Sequence, residues 1–155
     1  MPRLRNRRML PAILIVVALL PILGLAALSL ISRRPDNLGV HNGQLAECPS
    51  SPNCVSTTAS RESQRMDPIP FEGTVDEARA RLLEVLAARP RTKIVTEQPT
   101  YLHAECTTSL FRFVDDVEFL IDEQAGVIHF RSASRAGHSD LGENRRRMEQ
   151  IVAAY

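Results

Sequence analysis

The sequence contains few cysteines and few aromatic residues, which in other small domains add stability to that of an aliphatic core. Its 155 residues include three cysteines and no tryptophan, and aromatic residues make up only 5%. Three cysteines exclude a disulfide-dense scaffold, so a core must consist mainly of aliphatic side chains. Basic and acidic residues nearly balance, at 19 against 18, which excludes a disordered polyelectrolyte and gives no whole-chain reason to expect nucleic acid.

Sequence motifs for common catalytic chemistry are also lacking. The chain has no glycine-rich phosphate loop, no HExxH pair and no GxSxG nucleophile turn. Cys48 and Cys54 do not have zinc-ribbon spacing, and no second cysteine pair completes such a site. The sequence therefore predicts no cofactor and no structural metal, and its length favours one ordinary domain.

A long apolar run, LPAILIVVALLPILGLAALSLI, occupies residues 10–31 without a single charge. A helix of this length spans roughly 33 Å, enough to cross a bilayer. Four arginines precede the run and two follow it, which predicts residues 1–9 in the cytoplasm and the remainder outside. A cleaved signal peptide is the alternative, although the run is longer than the apolar region typical of one. We expect a single-pass anchor in the bacterial inner membrane, with the domain in the periplasm and the lipid bilayer as a partner.

The exported part is mildly acidic, because 15 basic and 18 acidic residues remain once residues 1–31 are set aside. This balance argues against nucleic acid as a partner.

Residues 32–66 show no sustained period of 2 or 3.6 and are predicted to form an extended linker. Within it, Pro49 and Pro52 stiffen the loop between Cys48 and Cys54, and an oxidising exterior favours a disulfide there. Two free thiols, or Cys54 paired with Cys106, are the alternatives.

Residues 67–155 have the periodicity of one small α+β domain. Thr74 to Glu77 (TVDE) is a capping box for a first helix, and Asp140 with Glu143 is predicted to cap a last one. Between them, strands are predicted over 93–97, 101–107, 111–121 and 127–133. Strands in succession between two helices favour an antiparallel sheet of about four strands flanked by those helices and preceded by the transmembrane helix.

The hairpin after the third strand has a predicted register. If Asp122 lies opposite Val127, then Phe119 faces Phe130 and Glu118 faces Arg131. Polar side chains then share the sheet face away from the core: His103, Glu105, Asp116, Glu118, His129, Arg131 and Arg135. A solvated face with weak cross-strand ion pairs is one interpretation, and a ligand surface is the other.

Asp115 breaks the alternation, since its parity places it on the core side between Phe113 and Val117. Either a bulge turns it outward or it is buried with a partner, which Arg145, Arg146 or the turn around Gly137 could supply. Structural ion pairing and a carboxyl group of raised pKa are the two roles open to it.

Three segments carry a family resemblance: CPSSPNCVS at 48–56, FVDDVEF at 113–119 and RSASRAGHSDLGENRRR at 131–147. Together they resemble the DUF1499 family of bacteria and plastids over roughly residues 45–155. The resemblance implies a single small domain, commonly exported or membrane-tethered, and assigns no activity, substrate or cofactor. Eleven residues match the motif positions of that family: Asp115, Asp116, Glu118, Arg131, Ser132, Ser134, Arg135, Ser139, Asp140, Asn144 and Arg145.

These observations favour a binding or structural module of the cell envelope, with an envelope protein or a small molecule as its ligand. The alternatives are a small enzyme and a divalent-cation site. The enzyme would use Asp115 or Asp116 with Glu118 as acid and base, His138 as proton carrier and Arg131 or Arg135 to hold an anionic substrate. The cation site would use Asp115, Asp116, His138 and Asp140, although neighbouring arginines disfavour a cation. The candidate functional residues are Asp115, Asp116, Glu118, Arg131, Ser134, Arg135, His138, Asp140, Asn144 and Arg145.

Overall fold

The structure is a computed structural model that describes residues 14, 15, 17–20, 24, 29 and 32–155. The predicted anchor over 10–31 lies largely outside the described residues, and in the part that is described no helix is long and apolar enough to span a membrane. The elements that follow are β1 (Val40–His41), β2 (Gln44–Leu45), β3 (Cys54–Ser56), a 3-10 turn (Glu62–Gln64), β4 (Ile69–Pro70), α1 (Val75–Ala87), β5 (Thr92–Glu97), β6 (Tyr101–Thr107), β7 (Val114–Asp122), β8 (Val127–Ser134) and α2 (Glu143–Ala154).

An antiparallel sheet in the order β3-β8-β7-β6-β5 forms the centre of the fold, and β4 pairs with β8 beside β3. The sheet therefore has six strands rather than the predicted four. The additional strands are only two or three residues long, too short to show a period of 2 in the sequence. β3 arises from the segment predicted as a linker, so part of that segment belongs to the folded body.

The predicted register of the β7–β8 hairpin is confirmed. Asp122 pairs with Val127, Phe119 with Phe130 and Glu118 with Arg131. The predicted start of β7 is wrong, because Phe111 and Phe113 precede the strand. They lie in a loop in which the Thr108 amide donates to the Phe113 carbonyl at 2.9 Å, and this turn leaves the residues before Val114 unpaired with β6.

Both helices pack on one face of the sheet and enclose the apolar core. α1 begins at the predicted capping box, in which Thr74 Oγ1 accepts from the Glu77 amide and Glu77 Oε2 accepts from the Thr74 amide. Leu82 of α1 and Ile151 of α2 are fully buried against Phe119 and Phe130. Burying an aliphatic or aromatic side chain of this size contributes roughly 1.5–3 kcal/mol, so this face supplies most of the hydrophobic stabilisation.

The opposite face of the sheet is covered by residues 34–45, which we name the strap. Its β1–β2 hairpin places β2 against β7 and β8, and Leu45 is buried there. Gly39 enters the hairpin with a φ of +106°, a conformation that side chains with a Cβ rarely adopt. The sheet is thus a middle layer between the two helices and the strap.

Candidate functional site

The strap-side face of the sheet carries a connected set of polar side chains, which we name the polar layer. Alternation along β6 and β7 places them on one face, and the register brings Glu118 opposite both His103 and Arg131. Most of the set is buried, including Glu118 with no exposed surface at all. The members are Tyr101, His103, Glu105, Asp116, Glu118, Arg131 and Arg135.

The Glu118 carboxylate accepts three hydrogen bonds. Oε1 accepts from the Tyr101 hydroxyl at 2.8 Å and from the Gly39 amide of the strap at 2.7 Å. Oε2 accepts from Arg131 Nη1 at 3.1 Å. Burial, followed by the negative charge of Glu118, raises the pKa of the Tyr101 hydroxyl, so this phenol stays protonated and remains a donor.

The Asp116 carboxylate is held by Arg135 and His103. Arg135 Nε donates to Oδ2 at 2.8 Å and Nη2 donates to Oδ1 at 2.7 Å, the bidentate geometry in which guanidinium binds a carboxylate most strongly. His103 Nε2 lies 2.8 Å from Oδ1. Burial alone would raise the pKa of Asp116, but the hydrogen bonds from Arg135 and His103 outweigh it and lower that pKa. Asp116 is therefore an anion fixed from two sides.

These contacts correct the expectation of a solvated polar face. Glu118, Asp116 and Arg131 are each at most 3% exposed, because the strap covers them. Ion pairs with so little access to water are weakly screened, and losing one partner leaves a buried charge. The strap escaped prediction because its hairpin strands are two residues long.

A second polar network lies on the helix side of the sheet, within the apolar core, and we name it the core network. Asp115 forms an ion pair with Arg147 of α2, and Arg147 Nη1 also donates to Asn144 Oδ1 at 2.7 Å. Ser132 Oγ donates to the same Asn144 oxygen at 2.6 Å, and Asn144 Nδ2 donates to Ser134 Oγ at 3.0 Å. The network therefore ties α2 to the centre of β7 and β8.

Asp115 lies on the core side, as its parity predicts, and is buried rather than turned out by a bulge. Its partner is Arg147 instead of the predicted Arg145 or Arg146. Helical spacing explains the choice, since Arg147 shares the buried face of α2 with Asn144 and Ile151. Burial raises the pKa of Asp115, while the charge of Arg147 opposes that rise.

The remaining predicted residues lie in the loop before α2 or in its first turn. Asp140 is not the N-cap, a position that Gly142 occupies, but its carboxylate accepts from the Gly142 and Asn144 amides at 3.1 and 2.7 Å. Arg145 donates to the carbonyls of Ser63 and Arg65, which fastens α2 to the 3-10 turn. His138 is exposed in the loop after β8.

Cys48 and Cys54 form a disulfide, which confirms the local pairing, and Cys106 is a free, buried thiol. The disulfide packs with Ala59 and Ala133 in a small cluster of its own. Because Cys54 pairs with Ala133 in the sheet, the bond fixes the loop before β3 to the edge of the sheet.

A cleft of about 670 Å³ opens between the end of α1, the β6–β7 loop and the first turns of α2, and we name it the arginine cleft. Four arginines and two carboxylates line it, together with hydroxyl side chains and the rings of Phe111 and Phe113. Arg89 Nη2 donates to Gln150 Oε1 at 2.8 Å and Arg91 Nε donates to the Thr107 carbonyl at 3.2 Å. Neither arginine forms an ion pair with any described residue. The cleft therefore has spare positive charge.

The structure places Asp116 and Glu118 on one face of β7, so this option of the predicted acid–base pair keeps its geometry, whereas the option with Asp115 and the predicted cation site are not assembled. Asp115 lies on the opposite face of the sheet from Asp116 and Glu118, and His138 contacts none of these carboxylates. Within residues 32–155 and the few described before them, no group of three or more His, Cys, Asp and Glu side chains is placed to hold a metal ion.

Sequence reasoning missed Tyr101 and Arg147, and also the strap contacts of Arg34 and Gly39. Tyr101 shares the parity of His103 and Glu105 on β6, so alternation alone would have placed it in the polar layer. Arg147 could have been recognised from helical spacing. The contribution of Gly39 could not, because it is a backbone amide in an irregular segment.

Eight of the eleven motif residues thus fall into the polar layer or the core network, on opposite faces of the sheet, whereas Ser139, Asp140 and Arg145 lie around the start of α2. The model of the family described as "Protein of unknown function (DUF1499)" matches residues 44–155. No curated protein and no solved structure matches the chain. The family match extends from the first residue of β2 to the end of α2, and the chain belongs to the DUF1499 family.

Proposed function

We propose that the protein is a membrane-anchored binding module of the bacterial cell envelope that takes a small anion with carboxylate or phosphate groups in the arginine cleft. The observation that carries the ligand class is the pair Arg89 and Arg91, two guanidinium groups at a cleft without carboxylate partners among the described residues. Guanidinium binds carboxylate and phosphate oxygens through paired hydrogen bonds, so a ligand with such a group fits best.

The walls of the cleft suit a small molecule. Its volume of about 670 Å³ lies within the range of ligand sites. Phe111 and Phe113 offer apolar surface beside the charged groups, and their ring centroids are 6.1 Å apart. Behind them the buried Asp115–Arg147 pair holds Arg147 in place, so this side of the cleft is rigid.

The charge along the walls favours an anion over a cation. Arg89, Arg91, Arg146 and Arg147 face the cleft with only Asp140 and Glu143 against them. Arg146 pairs with Glu143 and Arg147 with Asp115, which leaves Arg89 and Arg91 to attract the ligand.

The membrane anchor and the export of the domain are supported by the sequence and by the disulfide. The uncharged run over 10–31, with four arginines before it and two after, is the pattern of a single-pass anchor whose C-terminal part lies outside the cytoplasm. A disulfide such as Cys48–Cys54 persists in oxidising compartments like the periplasm. Fusions of a reporter active only outside the cytoplasm, placed after Tyr155, test this topology, and activity of a cytoplasm-only reporter there contradicts it.

Calorimetric titration of the detergent-solubilised full chain with phosphate, a dicarboxylate and a sugar phosphate tests the ligand class. We expect saturable binding of at least one anion, weakened about tenfold or more by Arg89→Gln with Arg91→Gln, since each charge-assisted hydrogen bond contributes about 1.5–3 kcal/mol. Arg61→Gln with Arg79→Gln removes the same charge outside the cleft and is the matched control. Equal loss in the control, or no binding by any anion of the panel, contradicts the proposal.

A further inference from the structure

The polar layer is completed by a segment that lies largely outside the family domain. The family match begins at residue 44, whereas the strap contacts to the layer come from Arg34 and Gly39. All seven side chains of the layer lie within the match. The layer therefore lies within the part of the chain that matches the family, and most of the strap precedes that part.

The strap binds the layer through one backbone amide and one guanidinium group. The Gly39 amide donates to Glu118 Oε1 at 2.7 Å. Arg34 Nη2 donates to His103 Nδ1 at 3.0 Å and lies 4.0 Å from Glu105 Oε1. Because arginine offers only donors, Nδ1 of His103 accepts and its Nε2 carries the proton toward Asp116. In this tautomer His103 presents an unprotonated nitrogen to the strap, where it accepts a hydrogen bond from a cation.

Charge also indicates that the layer requires a basic partner. Three carboxylates, on Glu105, Asp116 and Glu118, face the two guanidinium groups of Arg131 and Arg135. Without the strap the layer has a net charge of −1, and Arg34 neutralises it. The Arg34 side chain is 48% exposed and that of Glu105 26%, so water partly screens this pair, and the layer favours a cation at the position of Arg34 through its net charge.

The strap leaves part of the polar layer without hydrogen-bond partners and part of its surface uncovered. Nε of Arg131 is buried without a hydrogen-bond acceptor among the described residues. A cleft of about 300 Å³ also remains between the strap and the β5–β6 edge, where it reaches Tyr101 and His103. A segment that filled this space would contact Tyr101 and His103 more fully than residues 34–39 do, and Arg131 separately leaves room for one further acceptor.

We propose that the polar layer is a docking site for an extended basic peptide segment, which residues 34–39 of this chain occupy in cis. The partner is a polypeptide that presents a backbone N–H to Glu118 and an arginine side chain to His103 and Glu105. Release of the strap opens the site, so the strap regulates access to it. This site lies on the opposite face of the sheet from the core network that backs the arginine cleft, and does not depend on the anion proposed there.

The test uses the full chain in detergent micelles with Gly39→Pro, which removes the amide donor and cannot adopt the φ of +106° found there. The probe is a fluorescent peptide with the sequence of residues 33–42, RRPDNLGVHN. We expect this peptide to bind the Gly39→Pro chain at least about tenfold more tightly than the unmodified chain, because the strap no longer competes. Hydrogen exchange of residues 34–45 is expected to rise in the same variant.

Two matched changes keep the experiment decisive. A probe with glutamine in place of its second arginine, the counterpart of Arg34→Gln, is expected to lose at least about tenfold in affinity without any change to the domain. The Arg89→Gln with Arg91→Gln chain, combined with Gly39→Pro, is expected to bind the probe unchanged, which separates this site from the arginine cleft. Arg34→Gln in the full chain gives the same comparison if the proline variant does not fold.

Equal affinity for the unmodified and strap-released chains overturns the proposal, since the probe would then bind elsewhere. An exchange rate of the strap that neither Gly39→Pro nor Arg34→Gln alters also overturns it, because the two contacts would not hold the strap. Loss of probe binding in the arginine-cleft variant would place the peptide in that cleft instead.

Discussion

Glu118 and Arg131 are direct cross-strand partners in the β7–β8 hairpin, and their carboxylate and guanidinium groups meet under the strap with almost no access to water. Cross-strand ion pairs on sheet surfaces contribute little to stability because water screens them. Here the strap removes that screening, so losing either partner of the pair would leave an uncompensated charge inside the protein.

We expect Glu118→Gln to destabilise the protein by about 3 kcal/mol. The neutral amide would leave the Arg131 charge buried without compensation. Its NH2 group would also face an N–H or O–H donor, because every partner of the Glu118 carboxylate donates. Denaturant unfolding of the full chain in detergent, followed by circular dichroism, measures the change. Glu123→Gln, in the exposed turn of the same hairpin, is the control and should cost less than about 0.5 kcal/mol. Equal, small costs for the two variants would show that water reaches Glu118.

Much of the sheet could be predicted from the sequence because its long strands alternate strictly. Phe119 and Ile121 fix the core face of β7, and the turn at 122–126 then determines the partners of every residue in the hairpin. Glu118 opposite Arg131 follows from that register alone. The helix at 75–87 was equally predictable from its capping box.

The burial of the polar layer could not be predicted, because it depends on the strap. Residues 34–45 contain two strands of two residues each and contact the sheet through a glycine amide. Neither feature leaves a periodic pattern in the sequence. Arg147 was missed for another reason, since three arginines follow one another at 145–147 and only helix geometry decides which of them faces the core.

Arg147→Met should destabilise the protein by about 3 kcal/mol at neutral pH, because it leaves the Asp115 carboxylate buried without its partner. The cost should shrink as the pH falls, since burial already raises the pKa of Asp115 and protonation then removes the buried charge. Adding Asp115→Asn to Arg147→Met should recover part of the loss. Chemical unfolding of the unmodified chain and the two variants at two pH values measures both effects, and a cost independent of pH would contradict the role given to Asp115.

The stability of the protein should fall in acid, and Asp116 should account for part of the fall. Its folded-state pKa lies below the ordinary 3.8 because hydrogen bonds from Arg135 and His103 outweigh burial. The folded state thus binds this proton more weakly than the unfolded chain, so the contribution of Asp116 is present above pH 3.8 and lost as the pH falls through the lowered value.

We therefore expect the urea midpoint of Asp116→Asn to vary less between about pH 5 and pH 3 than that of the unmodified chain. Asp115→Asn is the matched control with the opposite sign. The pKa of Asp115 is raised, so its contribution is present at low pH and is lost as the pH rises through the raised value. A change of slope of the same sign in both variants would contradict the direction of pKa shift assigned to one of the two carboxyl groups.

The last prediction concerns the Cys48–Cys54 disulfide, which closes a short loop against the edge strand β3. For a loop of this size the chain-entropy estimate is about 2 kcal/mol. We expect Cys48→Ser to lower the unfolding free energy by about that amount. Cys54 packs beside Ala133, so the loss should fall first on the β3–β8 edge and leave β5 and β6 protected in hydrogen exchange.

Cys106→Ala keeps the disulfide and is the control for losing one thiol. Peptide mapping without reductant establishes the bond independently. A linked peptide that contains Cys106, or thiols at both 48 and 54 in protein made by export, would refute the pairing.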